Sequence, residues 1–155
     1  MKRLVVLLVL AALPATAVAA SATAAQPTVK VAFSTKLKRP ILVGGTGRTL
    51  YMFVSDAADA PTCVGNTPFS GCGRVWPPLL TTGSARAGKG AVASLLGTAT
   101  RSDGTVQVTY NHHPLYYFKG YYPSPPDKQA GDAHGQDFAP DWTALTPKGQ
   151  PLVKP

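Results

Sequence analysis

The chain contains no glutamate: all seven acidic residues are aspartate, and charged residues make up only 14% of its 155 positions. The commonest acid of helix surfaces is missing, and so is any mechanism built on a glutamate base. Cysteine and methionine occur twice each, tryptophan twice and histidine three times. Such scarcity leaves few ways to assemble a metal or redox centre, and neither Cys-x-x-Cys nor Cys-x-x-Cys-His is present. Also absent are Gly-x-Ser-x-Gly, His-Glu-x-x-His and a phosphate-binding glycine loop ahead of a helix. Gly44-Gly45-Thr46-Gly47 looks superficially like such a loop, but it lies between two β-prone runs. Long apolar runs are missing beyond the amino terminus. By contrast glycine and proline are abundant, at 15 each. Both interrupt helices, which argues against a helical bundle.

Met1-Lys2-Arg3 is a short positive segment, and Leu4 to Leu13 is an apolar run, followed by Ala-x-Ala cleavage options at 17–19 and 22–24. This is the pattern of a cleaved secretory signal peptide over residues 1–24. The strongly apolar stretch falls short of the ~20 residues that a spanning helix needs. With no cysteine near the cleavage site, a lipid anchor is not expected. The expected location is therefore secreted or periplasmic, without stable membrane insertion after the leader is removed. The formal net charge of +8 includes Lys2 and Arg3, whose loss takes it to +6. A positive exported surface favours anionic envelope polymers as partners, with another exported protein as the other option. No recognition helix or arginine-rich stripe points to nucleic acid. Cys63 and Cys72, nine positions apart among turn residues, are expected to pair as a disulfide in an oxidising compartment; a metal site or redox pair is the competing reading.

Alternation at Val29, Val31 and Phe33 predicts a half-buried strand within residues 25–40. The runs Ile41–Val43 and Thr49–Val54, joined by a glycine-rich connection, predict a hairpin. Asp56 to Gly73 reads as a loop, Arg74 to Leu80 as an edge segment, and Ala91 to Leu96 as the one helix candidate. Asp103-Gly104 between Gly97–Arg101 and Thr105–Tyr110 is a strong hairpin signal. Asn111 to Pro114 then reads as a turn, Leu115 to Phe118 as a strand, and Trp142 to Leu145 as a last strand. Thr49-Leu50-Tyr51-Met52-Phe53 corresponds to Pro114-Leu115-Tyr116-Tyr117-Phe118 at an offset of 65, and Trp76 to Trp142 at an offset of 66. Neither half carries enough apolar surface for its own core. The expected fold is all-β: a compact β-meander or sandwich of two pseudo-symmetric half-repeats with at most one short helix. Residues 41–150 form a single domain, its halves about 41–96 and 97–150. Its core is expected to draw on Leu42, Leu50, Phe53, Trp76, Leu79, Val108, Leu115, Phe118 and Trp142.

Tyr51, Phe53 and Asp56 form a Tyr-x-Phe-x-x-Asp motif, accompanied by Cys63-x-Gly65, Trp76-Pro77-Pro78-Leu79 and Arg101-Ser102-Asp103-Gly104. With Asn111 to Phe118, Gly131-Asp132 and Gly135-Gln136, roughly residues 41 to 150 resemble the bacterial secreted repeat of unknown function, also called the lipoprotein with Yx(FWY)xxD motif. The resemblance implies Tyr51, Phe53, Asp56, Trp76, Tyr116, Phe118 and Trp142 as the motif residues, but no mechanism. It differs in three respects: no lipobox cysteine, a wider cysteine spacing, and Tyr121 where the second repeat's Asp is due, leaving Asp56 alone.

Two ligand-facing features stand out. Tyr121 and Tyr122, beyond the Leu115–Phe118 run, are the aromatics expected to be exposed and to bind something. His112, His113 and His134 with Asp132 are the candidate copper or zinc ligands, since imidazole and carboxylate suit those metals. The expected function is a non-enzymatic envelope or extracellular module that binds a ligand or partner, with no cofactor. The alternative is a small metal-binding or redox accessory protein using the loop histidines.

Overall fold

The computed structural model describes residues 26–65, 71–138 and 140–152; the leader read over 1–24 lies outside them. In chain order the strands are β1 (Thr28–Ser34), β2 (Arg39–Gly44), β3 (Tyr51–Phe53), β4 (Leu80–Thr81), β5 (Arg86–Ala87), β6 (Leu96–Thr100), β7 (Val106–Tyr110), β8 (His113–Pro114) and β9 (Trp142–Ala144). Among the described residues one α-helical turn, α1 (Cys72–Val75), interrupts them. Among the described residues no helix is long and apolar enough to cross a membrane. The fold is all-β and compact.

Two antiparallel hairpins frame the structure. β1 pairs with β2, Val29 opposite Gly44 and Ser34 opposite Arg39. β6 pairs with β7, Leu96 opposite Tyr110 and Thr100 opposite Val106. The turn of the second hairpin is set by Asp103, whose Oδ1 accepts the Thr105 N–H at 2.9 Å. Outside the hairpins, β5 runs parallel to β1, β4 and β8 flank β7, and β3 pairs with β9.

The halves meet at Tyr51 and Tyr116, which exchange both backbone hydrogen bonds, N–H to C=O at 2.9 Å in each direction. A local two-fold axis therefore passes between them, and the surrounding bonds come in matched pairs. Val54 N–H donates to Asp141 C=O at 2.8 Å, and Lys119 N–H to Val75 C=O at 2.8 Å. Leu50 donates to Leu42 and Leu42 to Leu145; correspondingly Leu115 donates to Val108 and Val108 to Leu79, all at 2.9–3.0 Å. The periodic Leu-Tyr-x-Phe pattern thus marks two equivalent central segments.

Side chains follow the same symmetry. Trp76 and Trp142 stack face to face, 3.9 Å between centroids and 3° between planes. Phe53 stacks on Trp142 and Phe118 lies tilted against Trp76, each at 4.7 Å between centroids. Tyr51 meets Trp76 edge-on at 5.3 Å, and Tyr116 meets Trp142 edge-on at 5.1 Å. Each Phe therefore packs on the Trp of the other half. Large rings bury about 150–250 Å² each, so these six supply much of a small core. A second, largely aliphatic cluster of Val29, Leu42, Leu50, Met52, Leu79, Val108, Tyr110, Leu115 and Leu145 fills the space between the hairpins.

The structure differs from the sequence pattern at several places. The expected hairpin of Ile41–Val43 with Thr49–Val54 is reduced to a Val43–Thr49 bridge, because β2 pairs with β1 and β3 with β9. A helical turn forms at Cys72–Val75, where a loop passing into an edge segment is expected. Of the expected core residues, Phe53 is only half-buried, while the other eight are buried. Phe33 is 60% exposed: β5 covers β1 only at Thr28 and Val29, and at its far end Ser34 turns inward instead, its Oγ donating to Gly131 C=O at 3.0 Å. The Ala91–Leu96 helix is a 3₁₀ turn at Ala93–Leu95, because Leu96 already pairs with Tyr110. Leu115–Phe118 makes no continuous ladder. Tyr116 bridges Tyr51 on one side and Pro78 on the other, and Pro77 and Pro78 have carbonyls to offer but no N–H.

Cys63 and Cys72 are bonded, with Cα atoms 5.2 Å apart, and Cys63 is buried beside Trp76. Replacing Cys63 by serine is expected to lower stability by about 2–3 kcal/mol, the entropy cost of freeing so short a loop. Thermal melting under oxidising conditions checks this, and an unchanged midpoint would contradict a stabilising bridge.

Candidate functional site

Two carboxylates, Asp127 buried and Asp56 partly exposed, tie the halves together crosswise. Asp56, three positions after Phe53, accepts the Tyr116 hydroxyl at 2.7 Å on Oδ2. Its Oδ1 takes the N–H and the hydroxyl of Thr62, both at 2.7 Å. Asp127 mirrors it: Oδ2 accepts the Tyr51 hydroxyl at 2.5 Å, and Oδ1 takes the His134 N–H at 2.8 Å with His134 Nδ1 at 3.0 Å. Burial, then the Asp127 charge and hydrogen bond, push the Tyr51 hydroxyl well above the ordinary tyrosine range. Burial and Asp56 do the same to Tyr116. Both phenols therefore remain donors. Gly135 sits where a Cβ would meet Trp76 and Tyr51 ring atoms at 2.8 Å, so only glycine lets this segment approach the stack.

The spacing places Tyr121 at the second motif Asp position; the structure corrects this, because Asp127 fills the role. Nine positions separate Phe118 from Asp127 against three from Phe53 to Asp56, so the second half carries six extra residues at this point. Those residues form a closed loop pinned at its base. Asp127 N–H donates to Phe118 C=O at 3.3 Å. Arg48 donates Nε to Asp127 C=O at 3.0 Å and Nη2 to Phe118 C=O at 3.2 Å, its guanidinium lying 4.5 Å over the Tyr117 ring. At the neck of the loop Gly120 has φ +88°, and a Cβ there would meet Pro126 N at 2.7 Å. At its tip Tyr121 and Ser124 exchange backbone hydrogen bonds at 3.0 and 2.7 Å.

This loop walls an open groove of about 660 Å³ completed by Arg74 and Val75. Tyr121 is 61% and Tyr122 93% exposed. Tyr121 leans edge-on against Phe138 at 5.6 Å, which steadies it from within. Lys119 and Arg74 are the charged side chains among the described residues that line it. The two tyrosines singled out from the sequence are thus brought to one surface; the two cations beside them carry no sequence signal, since only folding sets 74 beside 119.

The four nominated metal ligands are not brought to one point. His112 Nδ1 lies 2.6 Å from Asp59 Oδ2 at the surface, and that bond holds the Asp59 carboxyl below its usual range. Burial, then His112, lowers the pKa of the neighbouring His113. His134 and Asp132 do converge, with Asp127, to within 4.8 Å among the described residues. Both Asp127 oxygens already accept protein donors, and Asp132 Oδ2 accepts the N–H groups of Lys128 and Gln129 at 2.9 and 3.1 Å. In this arrangement the carboxylates cap the chain at the base of the loop.

Burial works to raise the Asp132 pKa, but the two backbone donors, together with nearby His134 and the Gln129 side chain, outweigh it and the net shift is downward. A carboxyl depressed on folding contributes stability above its unfolded value of about 3.9, and loses it as pH falls through the folded value. Asp132→Asn is therefore expected to flatten the acid limb of the stability profile below about pH 4, by under about 1 kcal/mol for so accessible a group. Denaturant midpoints measured across that range would show it, and identical slopes in both proteins would contradict the cap.

The unit running from β6 through Tyr116 and Phe118 to Trp142 is thus a complete half of the symmetric structure. Residues 97–146 match the family described as a secreted repeat of unknown function. No curated protein and no solved structure matches the chain. The matched repeat begins one residue inside β6 and ends just past β9, so its bounds coincide with the second half of the fold. Residues 29–54 with 75–79 make the hydrogen bonds of the same repeat on the other side of the axis.

Proposed function

We propose that the protein is an exported, non-enzymatic binding module whose ligand-facing surface is the groove walled by residues 119–126. The observation that carries this is the unequal pair of loops. The two halves reproduce each other's backbone bonds, ring stack and Asp caps, and they part where six added residues build a groove that the core does not require. Added length fixed at its base by Arg48, with exposed aromatics at its tip, is the usual make-up of a recognition loop on a rigid scaffold. The family's description as secreted supports an exported setting, and the leader sequence supports secretion or periplasmic residence without a lipid anchor.

The test follows backbone amide shifts by NMR during titration with four probes: an acidic oligosaccharide, a neutral one, inorganic phosphate and an acidic peptide, each with and without chelator. At least one probe is expected to move the amides of 119–126, unaffected by chelator. A panel that leaves this loop unmoved overturns the reading. Shifts centred on His134 that vanish with chelator would instead support the copper or zinc alternative at Asp127, Asp132 and His134.

A further inference from the structure

We infer that the outer edge of β6 binds an extended segment of another polypeptide as an added parallel strand, with one of its side chains entering the cleft beside Gly97. The twin edge shows what fits. β6 holds the place in the second half that β1 holds in the first: Thr98 lies opposite Val108 as Val31 lies opposite Leu42. The outer edge of β1 is filled by β5, running parallel, and by the residues just after it. Gly88 N–H donates to Val29 C=O at 2.7 Å, and Val31 N–H to Lys89 C=O at 2.9 Å. The corresponding groups on β6 are Leu96 C=O and Thr98 N–H. Val108 spends its N–H on Leu79 and its C=O on Leu115, so Thr98 turns its own pair away from β7. β6 is the end strand of its sheet, and among the described residues no strand or bridge pairs with this edge. Thr98 and Thr100 are exposed. Strand edges that go unused are commonly blocked by charge, proline or a bulge. Leu96–Thr100 reads Leu-Gly-Thr-Ala-Thr, with neither charge nor proline, and stays in register with β7 throughout.

The cleft sets the chemistry of the occupant. On β1 the added segment needs glycine at 88, because a Cβ there would meet Lys30 Cβ at 2.9 Å. On β6 the place of Lys30 is taken by Gly97, opposite Thr109 as Lys30 is opposite Val43. A segment added to β6 therefore has room for a side chain where the first half has none. Beside Gly97 lies a cleft of about 140 Å³ bordered by Asp59, Thr109 and His112. Asp59 Oδ2 already bonds His112 at 2.6 Å, but a carboxylate accepts several donors, so the entering group is a hydrogen-bond donor such as an asparagine amide. Main-chain bonds along such an edge give affinity, and a side-chain pocket beside it gives selectivity.

The experiment uses a capped peptide copying residues 84–91, the stretch that fills the twin edge, and the same peptide carrying Gly88→Asn. Amide shifts and amide hydrogen exchange are the readouts. Both peptides are expected to move the amides of 96–100 and to slow exchange at Thr98, leaving 119–126 unmoved. The asparagine peptide is expected to bind at least threefold more tightly; equal binding would overturn the role of the cleft. Thr98→Pro is expected to abolish binding and still fold, since the N–H it removes faces away from β7 and proline is tolerated on edge strands. A peptide N-methylated at position 88 is expected to fail equally against the unaltered protein, which makes the test independent of how the proline variant folds. Strand addition at β6 is overturned if neither peptide moves 96–100, or if binding survives both Thr98→Pro and N-methylation. Shifts at 28–31 in place of 96–100 would overturn it too, by showing that the peptide displaces β5 from β1. Self-association of the protein that Thr98→Pro abolishes would put a second copy on the edge and overturn the inferred occupant.

Discussion

Trp76→Ala is expected to destabilise the protein by about 3–5 kcal/mol, the usual range for deleting a buried tryptophan. The indole is 3% exposed and touches four other rings: Trp142 at 3.9 Å, Phe118 at 4.7 Å, Tyr51 at 5.3 Å and Phe138 at 6.1 Å. Its removal leaves a void on the symmetry axis that neither half can fill alone, because the residues around it belong to both. Domains of this size are stable by about 5–15 kcal/mol in total, so the variant should fall near the edge of folding. Equilibrium denaturant unfolding measures the loss, and a cost below about 1 kcal/mol would show that the stack does not hold the core. Trp142→Ala should behave alike. The double variant should cost less than the sum of the two, since each indole already loses its main partner in the other's absence.

Asp127→Ala is expected to be the more damaging of the two carboxylate deletions, at roughly 3 kcal/mol, with Asp56→Ala nearer 1 kcal/mol. Both aspartates accept three hydrogen bonds, but Asp127 is 2% exposed whereas Asp56 is partly open to solvent. Water can replace the Asp56 carboxylate as a partner for Thr62, whereas the Tyr51 hydroxyl would be stranded in the interior. Chemical denaturation of the two variants side by side checks the ordering, and equal losses would contradict it. Because Arg48 also pins the loop through the Asp127 carbonyl, the alanine variant keeps that staple, so its cost reports the side chain alone.

These two sites mark how far the sequence could be read. Asp103-Gly104 announced the second hairpin because tight-turn chemistry is local. The Leu-Tyr-x-Phe segments and the two tryptophans announced the repeat because large apolar residues at matched offsets have few other uses. Asp127 was hidden: its partner Tyr51 is 76 residues away, and six inserted residues shift it out of the motif spacing. What identifies it is burial, which only tertiary structure supplies. Leu115–Phe118 looked like an ordinary strand for a related reason. Its β-prone composition was visible, but the two prolines opposite it, which limit its ladder, lie almost forty positions earlier. Phe33 fits its strand's alternation and still faces solvent, because alternation fixes the side of a sheet and not whether another layer covers it. At the groove, Tyr121 and Tyr122 could be named from their place beyond the strand, but Arg74 could not be joined to them without the fold.

The reciprocal hydrogen bonds of Tyr51 and Tyr116, with each phenylalanine resting on the opposite indole and each phenol on the opposite carboxylate, have the geometry of an isologous dimer interface written into one polypeptide. The stretch between β4 and β6 then acts as a tether that holds two protomer-like units at high effective concentration. It also frees them to diverge: once joined, one copy can acquire a recognition loop while its twin keeps the short turn, an asymmetry that two identical chains could not adopt.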